Sequence, residues 1–140
     1  MSEAKKDVVK KFLSLFDGNG WPDLDEVIAL FAEDTVCYTV YPTTPKVEGK
    51  AALLEELKRQ ARDSDNPKCD VTVVAGEGKY VLVERVDTFL TMGKALTCCI
   101  CSTFEVNDDG LICAWREYLD SADTLRQLGI SADELEGLLQ

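Results

Sequence analysis

The stretch Val81-Leu82-Val83-Glu84-Arg85-Val86-Asp87-Thr88-Phe89 reads with a period of two. On a strand, Val81, Val83, Arg85, Asp87 and Phe89 share one face, so two opposite charges interrupt an apolar stripe. Two readings stand at this point. One is a solvated strand face with an ion pair. The other is a pocket wall in which Arg85 holds carboxylates while apolar surroundings alter their pKa values.

The period of two extends in both directions from this stretch. From Asp63 onward four segments carry it: Cys69–Gly76, Lys79–Thr91, Ala95–Val106 and Leu111–Leu119. Glu77-Gly78, Met92-Gly93-Lys94 and Asn107-Asp108-Asp109-Gly110 join them, and turns this short make neighbouring strands antiparallel. Before Asp63 the period is 3.6. Val8, Val9, Phe12, Leu13 and Phe16 predict an amphipathic helix from about Glu3 to Leu15, which Asp17-Gly18-Asn19-Gly20 stops. Trp21-Pro22-Asp23 opens a second helix with Leu24, Val27, Ile28 and Phe31 on one face. A strand from Val36 to about Tyr41 follows, broken by Pro42-Thr43-Thr44-Pro45. A third helix covers about Lys50 to Arg62, with Leu53, Leu54 and Leu57 on its buried face. Two short helices close the chain, near Ala122–Leu128 and Ala132–Leu139, the second started by the Ser131/Glu134 capping box.

Helices first and long antiparallel strands after them predict an α+β fold. Its sheet is curved, mixed and mainly antiparallel, and the N-terminal helices wrap it into a cone with an internal pocket. With 140 residues and no repeat or linker, residues 1–140 read as one domain.

Composition narrows the chemistry. Twenty-six carboxylates against 15 cations give a net charge of −11, which argues against nucleic acid and against an anionic membrane surface. No apolar run approaches the roughly 20 residues that span a bilayer, and Met1–Lys11 lacks a signal-peptide core. The expectation is a cytoplasmic protein. The chain has no histidine, which removes His-dependent triads and every mixed His/Cys metal site. Acid–base work near neutral pH then falls to Asp, Glu, Tyr, Lys or Cys with tuned pKa values.

Cys37, Cys69, Cys98, Cys99, Cys101 and Cys113 read as small buried hydrophobes. The Cys98/Cys101 pair lies on a strand, where positions three apart face opposite ways, and no second such pair follows. Asp63-Ser64-Asp65-Asn66-Pro67 lacks the Gly and Glu of a calcium loop. Gly18-Asn19-Gly20 lacks the partners of a phosphate loop. No metal or cofactor is expected. Asp120 stands where the last strand ends and Ser121-Ala122 starts a helix, a place for an N-cap. Tyr38, in the strand after the second helix, reads by itself as a core tyrosine with a satisfied hydroxyl.

Three stretches in order resemble the limonene-epoxide hydrolase family, within the nuclear-transport-factor-like and ketosteroid-isomerase-like superfamily. They are Ala32-Glu33-Asp34-Thr35 running through Cys37-Tyr38-Thr39 to Glu48-Gly49-Lys50; Glu84-Arg85-Val86-Asp87, similar to an ERVD strand; and Trp115-Arg116-Glu117-Tyr118-Leu119-Asp120, similar to a WRDYFD ending. The resemblance runs from about Leu30 to Gly129. It implies a cofactor-independent epoxide hydrolase that adds water directly to a small apolar epoxide, through an Asp-Arg-Asp row with no covalent ester. Carried over by position, Asp120 is the base that activates water, Tyr38 helps hold that water, Arg85 bridges the carboxylates and Asp87 is the acid that protonates the epoxide oxygen. The family's asparagine, two residues after its tyrosine, is replaced by Val40, which can neither donate nor accept. Thr43 or Thr44 could substitute from the loop, whereas Thr39 reads as facing the other way. The resemblance also implies a homodimer formed across the sheet. Two further classes remain open: a proton-transfer isomerase, cyclase or dehydratase of the same superfamily, and a module that only binds an apolar ligand or dimerises.

Overall fold

The computed structural model describes residues 2–131 and 133. The predicted helix near Ala132–Leu139 lies outside the described residues. Ten elements follow in order: α1 (Ser2–Ser14), α2 (Leu24–Ile28), β1 (Phe31–Tyr38), β2 (Val47–Glu48), α3 (Lys50–Asp63), β3 (Asp65–Glu77), β4 (Tyr80–Thr91), β5 (Lys94–Val106), β6 (Ile112–Leu119) and α4 (Ser121–Gln127).

The strands form one curved, open sheet in the order β2-β1-β6-β5-β4-β3. Among the described residues β1 and β6 run parallel, and the other paired strands are antiparallel. The α+β, mainly antiparallel arrangement expected from the sequence is therefore the observed one. Alternation along β4 and β5 puts Val81, Val83 and Arg85, then Leu96, Cys98, Ile100, Ser102 and Phe104, on the inner face. Val9, Phe12, Leu13 and Phe16 of α1 and Leu53 and Leu57 of α3 close against that face. Phe12 is fully buried at the centre. Its ring meets Phe31, Trp115, Phe16 and Phe104 edge-on, with centroids 5.0 to 6.0 Å away.

Two elements differ from the sequence reading. The second helix stops at Ile28, and Phe31 opens β1 instead of closing the helix. The run Ile28-Ala29-Leu30-Phe31 fits either period, and pairing of Phe31 with Ile112 decides it. The third strand starts at Asp65 rather than Cys69, because its pairing with β4 continues past a register shift that contains Pro67. Proline lacks a donor and is tolerated at such an irregularity. There the loop after α1 covers the edge, with Gly18 N donating to Pro67 O and Cys69 N to Phe16 O. Among the described residues no helix is long and apolar enough to cross a membrane.

Candidate active site

Between the inner face of the sheet and α1 and α3 lies a cavity of about 310 Å³. Its wall is mostly apolar, with Leu13, Phe16, Leu57, Phe89 and Ile100, and five charged residues line it: Arg59 and Asp63 of α3, and Arg85, Asp87 and Glu117 of the sheet.

Arg85 follows Val81 and Val83 on the inner face of β4, so strand alternation forces its guanidinium inside, where it is 3 % exposed. A buried cation is stable only when paired and hydrogen-bonded, and each end of this one is held. Nε donates to Asp87 Oδ1 at 2.9 Å, Nη1 donates to Ser102 Oγ, and Nη2 donates to Glu117 Oε1. The Ser102 hydroxyl in turn donates to Glu117 Oε2. The register explains the closure: Ser102 pairs with Glu117 across β5 and β6, one inner position along from Arg85.

This setting shifts the groups unequally. Burial raises the Glu117 carboxyl above its ordinary range, against the opposing pull of Arg85 and Ser102. Burial acts against the charge on Arg85, but Glu117 and Asp87 outweigh it and the guanidinium holds its proton more tightly than usual. Cys69 pairs directly with Asp87 across β3 and β4. Its thiol is pushed up by burial and then by the Asp87 charge. Cys37 is pushed up to about 12, again chiefly by burial.

Of the four residues singled out in the sequence, the structure brings Arg85 and Asp87 together and leaves the other two apart. Asp120 is exposed, caps α4 by accepting from Asp123 N at 3.2 Å, and makes no contact with Arg85. Inner positions on β6 are Trp115, Glu117 and Leu119, so Asp120 has the parity of the outward Arg116 and Tyr118. The carboxylate that meets Arg85 is Glu117, at the first acidic position of the WRDYFD-like ending. Tyr38 is also displaced from its expected place. It pairs with the outward Arg116 and packs edge-on against Tyr41 at 4.9 Å, while Thr39 lines the cavity. The expectation that Thr39 faces away is reversed. Thr44 is occupied with Thr39 and with the Val40 backbone.

Sequence reasoning missed Glu117 and Ser102. A signal for Glu117 was available: it lies two residues after Trp115 on a strand, and a buried arginine beside one aspartate needs a second acceptor. Among the described residues no three Cys, Asp or Glu side chains are grouped to hold a metal ion.

The sequence model of the limonene-1,2-epoxide hydrolase catalytic domain matches residues 3–129. An LEH-like epoxide hydrolase from M. tuberculosis superposes with a TM-score of 0.76 at 25 % identity, covering 99 % of this chain and 96 % of that one. Two further solved structures share the fold. A hypothetical protein with a ketosteroid isomerase-like fold from Catenulispora acidiphila, in complex with trimethylamine, gives a TM-score of 0.78 at 17 % identity, over 91 % and 95 % of the two chains. SalBIII, an epoxide hydrolase/cyclase-like enzyme of pyran ring formation in the polyether salinomycin, gives 0.75 at 16 % identity, over 86 % and 94 %. No curated protein matches significantly.

Proposed function

Since this chain belongs to the limonene-1,2-epoxide hydrolase family, we propose that it adds water directly to a small, mostly apolar epoxide to give a vicinal diol. The observation that carries this reading is Arg85, buried in an apolar cavity between two carboxyl groups, Asp87 and Glu117. An epoxide opens poorly unless its oxygen is protonated as the nucleophile attacks, so the site needs an acid and a base at one pH.

In this reading Glu117 takes the role first assigned to Asp120. Its carboxylate removes a proton from water as the water oxygen bonds to the epoxide carbon. Glu117 accepts at both oxygens, from Arg85 and from Ser102, and donors aimed at a carboxylate favour its ionised form, the form a base needs. Asp87 donates its proton to the epoxide oxygen as the carbon–oxygen bond breaks. Negative charge thus leaves Glu117 and appears on Asp87, and both carboxyl groups touch the same guanidinium. The cation pairs with the charge at either end, and passage of the proton from Glu117 to Asp87 resets the site. Residues 1–140 act as one domain here. A homodimer would cover the outer sheet face, where Val73, Leu82 and Tyr118 are exposed, and size-exclusion chromatography with light scattering tests it.

The test of the reaction is a single turnover on a panel of cyclic and linear epoxides in oxygen-18 water. Label in the diol at the first turnover, lost in Asp87→Asn and Glu117→Gln, is the expected result. No product from any epoxide would remove the hydrolase reading. An unlabelled cyclic ether would place the chemistry with the cyclases.

A further inference from the structure

The inner row of β5 reads Leu96, Cys98, Ile100, Ser102, Phe104 and Val106, and all six are buried. Ser102 brings the one hydroxyl to that row and is fully buried. The sense of its hydrogen bonds is fixed. A guanidinium only donates, so Arg85 Nη1 takes a lone pair of Ser102 Oγ and the hydroxyl hydrogen is left to point at Glu117 Oε2. Alanine would fill nearly the same space, so the hydroxyl needs an account that packing does not give.

Arg85 touches Asp87 through Nε and Glu117 through Nη2. A cation shared by both carboxyl groups does not decide which of them is ionised while the other holds the proton. Burial favours the assignment opposite to a base at Glu117. The Glu117 side chain is 7 % exposed against 16 % for Asp87, and the more buried carboxyl is the one driven toward its neutral form. Ser102 acts against burial, and on one carboxyl alone. It pairs with Glu117 across β5 and β6, and its single hydrogen is given to that residue.

We propose that Ser102 is the positioning residue that makes Glu117, and not Asp87, the base of the pair. The role of base rests on the hydrolase reading, while the hold of Ser102 on the Glu117 charge does not. The other groups facing Glu117 leave the contrast intact. Arg85 and Asp87 come from β4, the Cys69 thiol from β3 and the Cys37 thiol from β1. Burial pushes both thiols up, which keeps them neutral near neutral pH, and Arg85 keeps its charge. On the helix side, α1 brings Phe12, Leu13 and Phe16 to the cavity, and Arg59 and Asp63 of α3 are paired with each other.

The test labels the glutamate carboxyl groups of the full chain with carbon-13 and follows Glu117, identified by the resonance lost in Glu117→Gln, from about pH 4 to pH 9. In Ser102→Ala its midpoint should rise by about 1–2 pH units, the equivalent of one hydrogen bond to a charged group. Asp87→Asn removes the coupled carboxyl, and the same rise should appear when Ser102→Ala is added to it. Ser102→Cys, with a weaker donor, should fall between serine and alanine, and it carries the test if the alanine protein does not fold. In steady-state turnover of an epoxide the acidic limb of the rate profile should move up with the Glu117 midpoint. At a fixed pH on that limb kcat then falls by about 10–100-fold while KM stays within about twofold. A Glu117 midpoint that stays in place in folded Ser102→Ala would overturn the proposal and leave Ser102 a matter of size. A midpoint that rises while the acidic limb stays would overturn the part of Ser102 in choosing the base. If the parent hydrolyses no epoxide, the hydrolase reading falls alone, and the titrations still decide whether Ser102 holds the charge on Glu117.

Discussion

Glu117→Gln separates the two carboxylates at the end of β6 most sharply, because Asp120→Asn is available as its control. Glu117 is 5 % exposed and accepts from both Arg85 and Ser102. The amide oxygen of glutamine can keep the Arg85 bond. The amide nitrogen can donate to the second lone pair of Ser102 Oγ, but the Ser102 hydroxyl hydrogen then loses its acceptor. Arg85 then stays buried with Asp87 as its single carboxyl partner. Breaking a buried pair costs about 3–5 kcal/mol, and relief from burying the Glu117 charge offsets part of that. A net loss of about 1–3 kcal/mol remains, comparable to a hydrogen bond to a charged group, and it should lower Tm by roughly 3–10 °C. Catalysis should suffer more. Loss of a general base costs about 10²–10⁴-fold in rate, which is about 3–5 kcal/mol of barrier. Asp120→Asn keeps a side chain that caps as well as aspartate and touches nothing in the cavity, so turnover should stay within about twofold and Tm within about 2 °C. The assay is diol formation under single-turnover conditions, beside a circular-dichroism melt of each variant. A folded Glu117→Gln protein with parental turnover would refute the assignment. So would a large loss in Asp120→Asn, because it would return the base to the α4 cap.

The raised Glu117 pKa has a signed consequence for stability. Between the ordinary 4.5 and its raised value the folded state binds more protons at this site than the unfolded state. The Glu117 contribution is therefore complete below 4.5 and is lost as pH rises through the folded value. The difference in unfolding free energy between the parent and Glu117→Gln, from urea melts, should shrink between about pH 4 and pH 7, and a widening difference would contradict the burial argument. Among the cysteines, Cys99 and Cys101 are exposed, while Cys37 and Cys69 have raised thiol pKa values. Iodoacetamide followed by peptide mass mapping should label the exposed pair first and reach Cys37 and Cys69 only after unfolding. Early labelling of Cys69 would mean that its thiol is more open than its place beside Asp87 allows. Phe12→Ala empties the centre of five packed rings and should cost about 3–5 kcal/mol by chemical denaturation; a loss under about 1 kcal/mol would show that α1 does not anchor the core. Tyr38→Phe should leave turnover unchanged, since its ring packs with Tyr41 on the side away from the cavity.

The layout of strands was legible because β4 and β5 alternate cleanly and their turns are too short for anything but antiparallel pairing. The same alternation puts Arg85 and Asp87 on one face. It would also have separated Glu117 from Asp120, since Trp115 and Glu117 share a parity that Asp120 lacks; the likeness of the whole six-residue ending drew attention to its last acid instead. Tyr38 is a different case. Val36-Cys37-Tyr38-Thr39-Val40-Tyr41 has no polar alternation, so its facing is set by pairing with β6. The register shift between Phe31 and Val36 changes that pairing in a way local pattern does not reveal.

The ion network is a poor candidate for a purely structural device. Moving a carboxylate and a guanidinium out of water costs several kcal/mol per ion, and apolar residues of similar size often hold a core at least as well. The sheet already contains that alternative in Val83 and Ile100, which neighbour the network on the same inner face and are buried without a hydrogen bond to satisfy. If stability alone had shaped this wall, an aliphatic residue at position 85 would continue the stripe from Val81 and release Asp87, Ser102 and Glu117 from their roles. Instead one guanidinium is held by two carboxyl groups and a hydroxyl, all reached from three different strands, at the side of a cavity large enough for a small molecule. Holding two acids against one cation leaves a proton whose position can change at little cost to the ion pair. That is the property an epoxide requires of a site that must donate a proton at one point and remove one at another, within the same turnover.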